Sequence, residues 1–146
     1  MSGQPFTITA ATAEEIIDLR HRMLRQGLPI DEARFEIDRN PQTVHAAAWA
    51  GNAIVGCATF TPGPLDGQPA WQLRGMAVDD AWQGTGVGRA VLAFLEAQMR
   101  ERGVTLLWCN ARTPAVPFYE RQGWRVISSE FHIPTAGPHF RMRKDL

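Results

Sequence analysis

Glycine occupies every second position from 84 to 88 in the stretch AWQGTGVGRA, which spans residues 81–90. Glycine loses more backbone freedom on folding than any other residue, so this spacing is costly unless something must come close to the backbone itself. Gln83 precedes the glycines and Arg89 follows them. An apolar segment comes before the stretch, and apolar residues recur with helical spacing after it. This pattern predicts a strand, then a glycine loop, then a helix.

A glycine loop at a helix N-terminus presents backbone N–H groups at the positive end of the helix dipole. This arrangement favours a phosphate or pyrophosphate, and Arg89 adds a positive charge in the first helical turn. The same glycines would also suit a tight turn with no ligand, but the strong flanking strand and helix favour a binding loop. The residues predicted to bind the anion are Gln83, Gly84, Thr85, Gly86, Val87, Gly88 and Arg89.

Two common nucleotide-binding motifs do not fit this loop. The dinucleotide motif G-x-G-x-x-G fails because Arg89 stands where the third small residue belongs, counting from Gly84. The P-loop motif needs a Lys after its glycines, and the single Lys of the chain is Lys144. The pattern that fits is Gln-x-x-Gly-x-Gly, formed by Gln83, Gly86 and Gly88.

The elements that must position this loop follow the order β-α-(α)-β-β-β-α-β-α-β-β. The pattern predicts strands at 5–10, 44–50, 53–60, 71–78 and 104–110, and two last strands in WRVISSEFHI and HFRMRK. It predicts helices after Thr12, around 32–37, over 87–102 and after Thr113. Thr12 and Glu15 form a capping box, and Gly27 closes the first helix. We expect one α+β domain over residues 1–146, with strands 71–78 and 104–110 parallel if they are adjacent.

The composition is that of an ordinary globular domain, with 146 residues, 45% of them hydrophobic and 21% charged. Fifteen basic and fifteen acidic residues cancel, so we expect neither a nucleic-acid nor a membrane partner. No apolar run approaches a membrane span and MSGQPFTITA lacks a signal-like pattern, which predicts a cytoplasmic protein. Cys57 and Cys109 lie in apolar runs, so we expect two reduced buried thiols, although their number allows a disulfide. No Cys or His spacing predicts a metal site.

The segment LRGMAVDDAWQGTGVGRAVL resembles the acyl-CoA-binding motif of the GNAT superfamily of N-acetyltransferases. In that family an Asn ends the next strand, and a helix follows with a Phe-Tyr pair and a Gly-aromatic pair at its end. This chain has, in that order, Asn110, Phe118, Tyr119, Gly123 and Trp124. The order of strands and helices also matches the family. The phrases LRGMAV, LWCNAR and GPHFRM are similar to an uncharacterised bacterial subgroup of it.

The resemblance implies a mixed, mainly antiparallel sheet of about six or seven strands, whose central parallel pair parts to admit acyl-CoA. It implies acetyl-CoA as co-substrate and direct attack by the amine of a small molecule in a ternary complex. The pantetheine would bond to the backbone of Met76, Ala77 and Val78, and the remaining contacts would come from the loop, Asn110, Phe118 and Tyr119. A protein acetyltransferase, acting on a Lys or an N-terminus, and a non-catalytic acyl-CoA-binding module remain alternatives. The chain is expected to be a monomer or a homodimer.

Tyr119 is the expected acid for the departing thiolate, because a phenol donates a proton yet stays protonated at neutral pH. Many family members carry a Glu base on the strand before the loop. The positions expected to share that face here are Gln72, Arg74, Met76 and Val78, and none is a workable base. The candidate bases are therefore His45, His132, His139, Glu36, Asp38 and Glu130. We favour His139, because GPHF directly precedes the last strand.

Arg74 lies on a strand expected to border the acceptor cavity, where a guanidinium needs a carboxylate partner. The partner is either internal, from Glu36 or Asp38, or part of the acceptor, and the sequence leaves both options open. The candidate acceptor-binding residues are Arg74, Glu36, Asp38 and His45.

Overall fold

The computed structural model describes residues 5–146, so the first four residues of the predicted domain lie outside it. Within this range the strands are β1 (Thr7–Ala11), β2 (Val44–Ala50), β3 (Ala53–Pro62), β4 (Trp71–Val78), β5 (Leu106–Arg112), β6 (Arg125–Val126), β7 (Phe131–Ile133) and β8 (Gly137–Asp145). The α-helices are α1 (Ala13–Leu24), α2 (Val87–Glu101) and α3 (Val116–Arg121). Two turns of 3-10 helix, Ile30–Ala33 and Glu36–Arg39, occupy the segment in which one short helix was predicted.

The strands form one sheet in the order β1-β2-β3-β4-β5-β8-β6, with β7 also paired to β8. The central pair β4–β5 is parallel and the other pairings are antiparallel, which confirms the mixed, mainly antiparallel sheet. The described residues contribute eight strands, not six or seven. The segment WRVISSEFHI was predicted as one strand, but the Ser128 hydroxyl accepts the Arg141 N–H at 2.8 Å where a strand carbonyl would otherwise pair. The ladder is interrupted there, and β6 and β7 pair with β8 separately.

Helix α1 begins as the sequence predicts. The Thr12 hydroxyl accepts the Glu15 N–H at 3.2 Å, and the Glu15 carboxylate accepts the Thr12 N–H at 2.9 Å, which confirms the capping box. The helix ends earlier than predicted, with Arg25 at the C-cap, and Gly27 lies in the following turn with φ of +85°. This early end places the Arg25 side chain at the C-terminus of α1, beside the centre of the sheet.

The two faces of the sheet are covered by different helices. Buried residues of α1, Ile16 and Leu19, pack on one face together with Cys57. The apolar side of α2 covers the other face, where Cys109 lies. Both cysteines are free and buried, as expected, and their positions in separate clusters keep the thiols apart. None of the described helices is both long and apolar enough to cross a bilayer.

Strands β4 and β5 pair only near their N-terminal ends, at Trp71 with Leu107 and at Gln72 with Trp108. Beyond these pairs the strands part, as the fold prediction required. The gap opens toward the C-terminal ends of both strands, the end from which the glycine loop leaves β4.

A β-bulge in β4 changes which side chains share a face. On β3, Cys57 and Thr59 pair with Ala77 and Arg74, so β4 carries one extra residue, and Gly75 adopts φ of +62°. Arg74 therefore lies over Phe35 on the α1 side, whereas Met76 and Val78 join the cluster under α2. The predicted face shared by Gln72, Arg74, Met76 and Val78 is wrong, because strict alternation breaks at the bulge.

Candidate active site

The glycine loop runs directly into α2. Gly86 is the N-cap with φ of +91°, one position before the helix begins at Val87, and Gly84 has φ of +77°. A Cβ added at Gly84 or Gly86 would meet nothing within 4 Å. These two glycines are required by their backbone conformation, and the space beside them is open. The first N–H groups of α2 have no carbonyl one turn earlier in the helix, so they are available to an anion there.

Gly88 has a different role from the other two glycines. A Cβ at this position would stand 3.3 Å from Met76 Cε and from Val78 Cγ2, and 3.4 Å from Phe118 Cε1. Gly88 therefore lets the first turn of α2 pack closely on β4 and α3. Gly56 on β3 does the same from the other side, since a Cβ there would lie 2.5 Å from Val87 Cγ1. The sequence prediction overlooked Gly56, although a glycine inside an apolar strand signals close packing.

Polar side chains hold the loop in shape. Gln83 Nε2 donates to the Val78 carbonyl at 3.2 Å and to Asp80 Oδ1 at 3.3 Å, and the Thr85 hydroxyl donates to the Trp82 carbonyl. Asp79 accepts the Ala81 N–H and pairs with Arg22 at 3.0 Å, and these bonds lower the pKa of its carboxyl. Gln83 and Thr85 therefore brace the loop, and the backbone N–H groups remain the donors for a ligand.

A cavity of about 420 Å³ lies in the gap between β4 and β5. Five of the predicted site residues line it: Arg74, Met76, Asn110, Tyr119 and His139. Its lining also includes three residues that the sequence prediction overlooked, Arg25, Phe35 and Arg112. Met76 links this cavity to the glycine loop, because its methyl group lies beside Gly88.

A second cavity, of about 500 Å³, lies at the opposite end of β4 near Trp71 and Arg102. Arg102 is the one titratable side chain in its lining, and its guanidinium lies 5.5 Å from the centre of the Trp71 ring. This cavity holds no carboxylate, histidine or tyrosine. The cavity between β4 and β5 brings Tyr119, Asn110 and His139 together and is therefore the candidate active site.

Tyr119 lies on α3 and is 6% exposed, with its ring 5.1 Å from that of Phe118 and 5.7 Å from that of Trp124. Burial, with a smaller contribution from Cys109, raises the pKa of its phenol well above the ordinary value. The hydroxyl is therefore protonated at neutral pH and is available as a donor at the cavity.

Asn110 lies at the predicted position near the end of β5. Its Oδ1 accepts a hydrogen bond from Arg141 Nε at 3.2 Å, and the Arg141 guanidinium lies 4.7 Å from the centre of the Trp108 ring. With its oxygen bound to Arg141, the amide is oriented so that its NH₂ group is the free end. Asn110 is thus a donor toward carbonyl groups entering the gap.

His139 is 4% exposed and lies near the start of β8, where its ring stacks on Phe131 at 6.0 Å. Its Nδ1 is 2.8 Å from the Gly137 carbonyl oxygen. Since a carbonyl only accepts, this contact assigns the proton of the neutral ring to Nδ1 and leaves the lone pair on Nε2. A neutral imidazole with a free lone pair is suited to accept a proton.

Asp38 and His45 lie in a buried network beneath α1 and do not line the cavity. Asp38 accepts two bonds from Arg20, at 2.7 and 3.0 Å, and Thr59 Oγ1 contacts both Arg20 at 2.8 Å and His45 Nδ1 at 2.7 Å. Burial acts to raise the pKa of Asp38, but the bonds from Arg20 outweigh it and lower that pKa. Burial and Arg20 lower the pKa of His45. These residues join α1 to the sheet.

The other predicted bases also lie away from the cavity. Glu36 is exposed on the second 3-10 turn, and His132 is exposed on β7. Glu130 accepts a bond from the Thr113 hydroxyl at 2.8 Å. Of the six candidate bases, His139 alone lines the same cavity as Tyr119.

Arg74 has no internal carboxylate partner. Within residues 5–146 no Asp or Glu oxygen lies within 4.0 Å of its guanidinium, because the expected partner Asp38 is bound by Arg20. The guanidinium instead lies 5.0 Å from the centre of the Phe35 ring. The sequence left open whether Arg74 pairs with an internal carboxylate or with the acceptor. The internal ion pair is not formed among these residues. Across the same residues, no group of His, Cys, Asp and Glu side chains is arranged to hold a metal ion.

The parted parallel strands, the glycine loop and the cavity between them are the architecture of acyl-CoA-dependent acetyltransferases. The sequence model of the Acetyltransferase (GNAT) family matches residues 13–124, and the chain belongs to that family. It is 28% identical over 142 residues to the uncharacterized N-acetyltransferase YitI of Bacillus subtilis, a match that covers 95% of each protein.

Two solved structures share the fold at low identity. An aminoglycoside 6'-N-acetyltransferase complexed with coenzyme A superimposes with a TM-score of 0.76 at 16% identity, over 95% of this chain and 96% of that one. The NatC complex bound to Gag peptide and CoA gives 0.77 at 15% identity, over 100% of this chain and 99% of that one. Since one of these proteins is an aminoglycoside enzyme and the other is bound to a peptide, the fold alone does not identify the acceptor.

Proposed function

We propose that this protein transfers an acetyl group from acetyl-CoA to the amine of a small molecule. The observation that carries the proposal is the single cavity that brings Tyr119, Asn110 and His139 together in the gap between β4 and β5. The open space at Gly84 and Gly86 fits a pyrophosphate on the N-terminus of α2. The gap admits a pantetheine arm beside the unpaired part of β4, where Asn110 donates to one of its carbonyl groups.

The reaction is a direct attack with three proton transfers. His139 Nε2 takes a proton from the acceptor ammonium, and the neutral amine attacks the thioester carbonyl carbon. The C–N bond forms, and N–H groups of β4 near Met76 stabilise the oxyanion. The C–S bond then breaks as Tyr119 donates its proton to the departing sulfur. The second proton of the nitrogen leaves through solvent and restores the phenol, and His139 releases the first proton to solvent. Holding the two substrates together accounts for much of the rate.

The segments that converge on the acceptor end of the cavity favour a small molecule over a protein substrate. Residues from three separate segments line it, with Leu24 and Arg25 at the end of α1, Phe35 after the first 3-10 turn, and Ile133 and Ala136 in the hairpin of β7 and β8. A peptide would need an open groove, whereas these segments leave room for a compact acceptor. A protein acetyltransferase is the alternative that the experiment below addresses.

Two measurements test the proposal. Acetyl-CoA, NAD and ATP are compared for their effect on the melting temperature, and acetyl-CoA alone is expected to raise it. Release of CoA thiol is then followed with a library of small amines and with Lys-containing and N-terminal peptides. Turnover on peptides but not on small amines would support the protein acetyltransferase, and stabilisation by acetyl-CoA with no turnover would support a binding module.

A further inference from the structure

Three arginines from three different elements meet at the acceptor end of the cavity. Arg25 is the C-cap of α1, Arg74 precedes the bulge of β4, and Arg112 is the last residue of β5. All three line the cavity, and its lining contains no Asp or Glu. The cavity wall therefore carries three positive charges and no negative one.

None of the three guanidinium groups is neutralised by the protein. Among residues 5–146, no carboxylate lies within 4.0 Å of any of them, and the nearby Asp38 is bound by the buried Arg20. Glu32 acts on Arg25 only from beyond ion-pair distance. A cluster of unpaired, half-buried cations is costly, and a bound anion removes that cost.

The cluster is held together by neighbours that carry no charge. The Phe35 ring has the Arg25 guanidinium at 5.2 Å and the Arg74 guanidinium at 5.0 Å from its centre, both within the range of cation–π attraction. Arg25 and Arg112 both donate to the Leu24 carbonyl, at 3.0 and 3.3 Å, at the negative end of α1. These contacts fix the side chains in place without occupying all of their donors.

Burial and the neighbouring arginines both act on the pKa values of this group. Burial, together with Arg112 and Arg20, lowers the pKa of Arg25. Burial, together with Arg25 and Arg20, lowers the pKa of Arg74. Both groups remain protonated at neutral pH, because a guanidinium starts from a pKa above 12. The positive charge is therefore retained, and it faces the space that the acceptor must enter.

We propose that the acceptor amine also carries at least one carboxylate, and that Arg25, Arg74 and Arg112 bind this carboxylate. The inference rests on the proposed acetyl transfer and names the class of acceptor for the same cavity. A guanidinium fork matches a planar carboxylate with two parallel hydrogen bonds, so the cluster orients the acceptor as well as attracting it. The amine then points away from the arginines, toward His139 and the thioester. An acceptor with several positive charges is disfavoured by the same cluster.

Matched pairs of amines test the proposal by activity. L-phenylalanine is compared with phenethylamine, and O-phosphoethanolamine with ethanolamine. We expect kcat/KM to be roughly 10- to 150-fold higher for L-phenylalanine than for phenethylamine, the value of one charge-assisted bidentate contact. Equal rates for that pair would overturn the proposal while leaving acetyl transfer intact. Preference for phosphoethanolamine over every carboxylated amine would mean that the arginines bind a phosphate group, and it would overturn the carboxylate proposal.

Variants connect the preference to the cluster. Arg74→Gln is expected to lower kcat/KM for carboxylated amines by roughly 10- to 150-fold and to lower it much less for amines without a carboxylate. Arg74→Lys keeps the positive charge but not the two parallel donors of a guanidinium, so its kcat/KM for carboxylated amines is expected to fall less than that of Arg74→Gln. Arg100→Gln, on the exposed side of α2, is the control for loss of one positive charge. Equal loss for amines with and without a carboxylate in Arg74→Gln would overturn the proposal, and melting temperatures identify any variant that fails to fold.

A binding measurement separates failure of this inference from failure of the proposed function. L-phenylalanine and phenethylamine are titrated into the protein–CoA complex by calorimetry, where no turnover is needed. Binding of L-phenylalanine that disappears in the Arg25→Gln/Arg74→Gln variant supports the cluster as a carboxylate site, even if no amine is acetylated. If neither L-phenylalanine nor L-glutamate binds more tightly than phenethylamine, the proposal is wrong.

Discussion

Replacing Tyr119 with Phe removes one hydroxyl and keeps the ring. The contacts with Phe118 and Trp124, at 5.1 and 5.7 Å between ring centres, are made by ring carbons that both residues share. We therefore expect the free energy of unfolding to change by no more than about 1 kcal/mol. Any larger effect of the substitution on turnover then belongs to the proton of the phenol.

The expected fall in kcat depends on how much the departing thiolate needs the proton of Tyr119. A free thiol has a pKa of about 8.5, so the departing thiolate is only a moderate leaving group at neutral pH. A positioned general acid contributes about 10²- to 10⁴-fold, and the lower half of that range suits a thiolate. We expect Tyr119→Phe to lower kcat about 10²- to 10³-fold, or ~2.7–4 kcal/mol in the barrier. The affinity for CoA should change by less than about threefold.

The assay is release of CoA thiol, read with a disulfide reagent. The protein thiols give little background, because burial raises the pKa of Cys57 to about 12 and also raises that of Cys109. Affinity for CoA is measured separately by calorimetry. Phe118→Leu is the control for packing, since Phe118 touches Gly88 but has no proton to give. That variant should weaken CoA binding more than it lowers kcat.

Two outcomes would refute the acid function of Tyr119. A kcat within about threefold of the wild type would mean that the thiolate leaves without help from the phenol. Loss of CoA affinity as large as the loss of kcat would mean that the hydroxyl binds the co-substrate in the ground state.

Three further substitutions test the rest of the site. Gly56→Ala should lower the free energy of unfolding by about 1–3 kcal/mol through its contact with Val87, whereas Gly63→Ala, whose Cβ would meet nothing closer than 3.8 Å, should stay within about 0.5 kcal/mol in urea melts. Asp38→Ala should cost about 3–5 kcal/mol at pH 7 by leaving Arg20 unpaired. Because the folded-state pKa of Asp38 is lowered, its contribution is present above the unfolded pKa, and the difference from wild type in urea melts should shrink as the pH falls below about 4. His139→Gln should lower kcat/KM about 10²-fold or more near pH 7. That loss should narrow in a pH profile as the pH approaches the pKa of the acceptor ammonium, and a constant loss at all pH values would exclude the base function.

The glycine loop, on the acetyl-donor side of the site, could be predicted from the sequence because its structure depends on residues that are neighbours along the chain. A glycine loop between a strand and a helix needs only neighbours along the chain, and Gly84 and Gly86 have the positive φ that such spacing predicts. The capping box at Thr12 and the bounds 44–50 and 71–78 depend on equally local patterns, and the structure has them as predicted.

The acceptor side of the site could be predicted only in part, because residues that are far apart in the sequence form it. Arg25 reaches the cavity only because α1 ends at Leu24, two residues earlier than the pattern suggested, and Phe35 arrives from a loop without regular spacing. Arg112 did leave a signal, since it follows Asn110 by two residues on one strand and shares its face. The bulge at Gly75 gave only a weak signal, an isolated Gly within a strand, because the extra residue itself is visible only against the partner strand.

The acetyl-donor side and the acceptor side of the site consequently differ in how strongly substitutions alter them. In the proposed complex, backbone N–H groups hold the pyrophosphate, so most substitutions that preserve φ at Gly84 and Gly86 would preserve binding of the acetyl donor. The acceptor meets side chains instead, and replacing Arg74 or Arg112 changes the charge of the cavity without moving a strand. A shared family motif therefore identifies the common donor, whereas the identity of the acceptor depends on the few side chains that converge where β4 and β5 part.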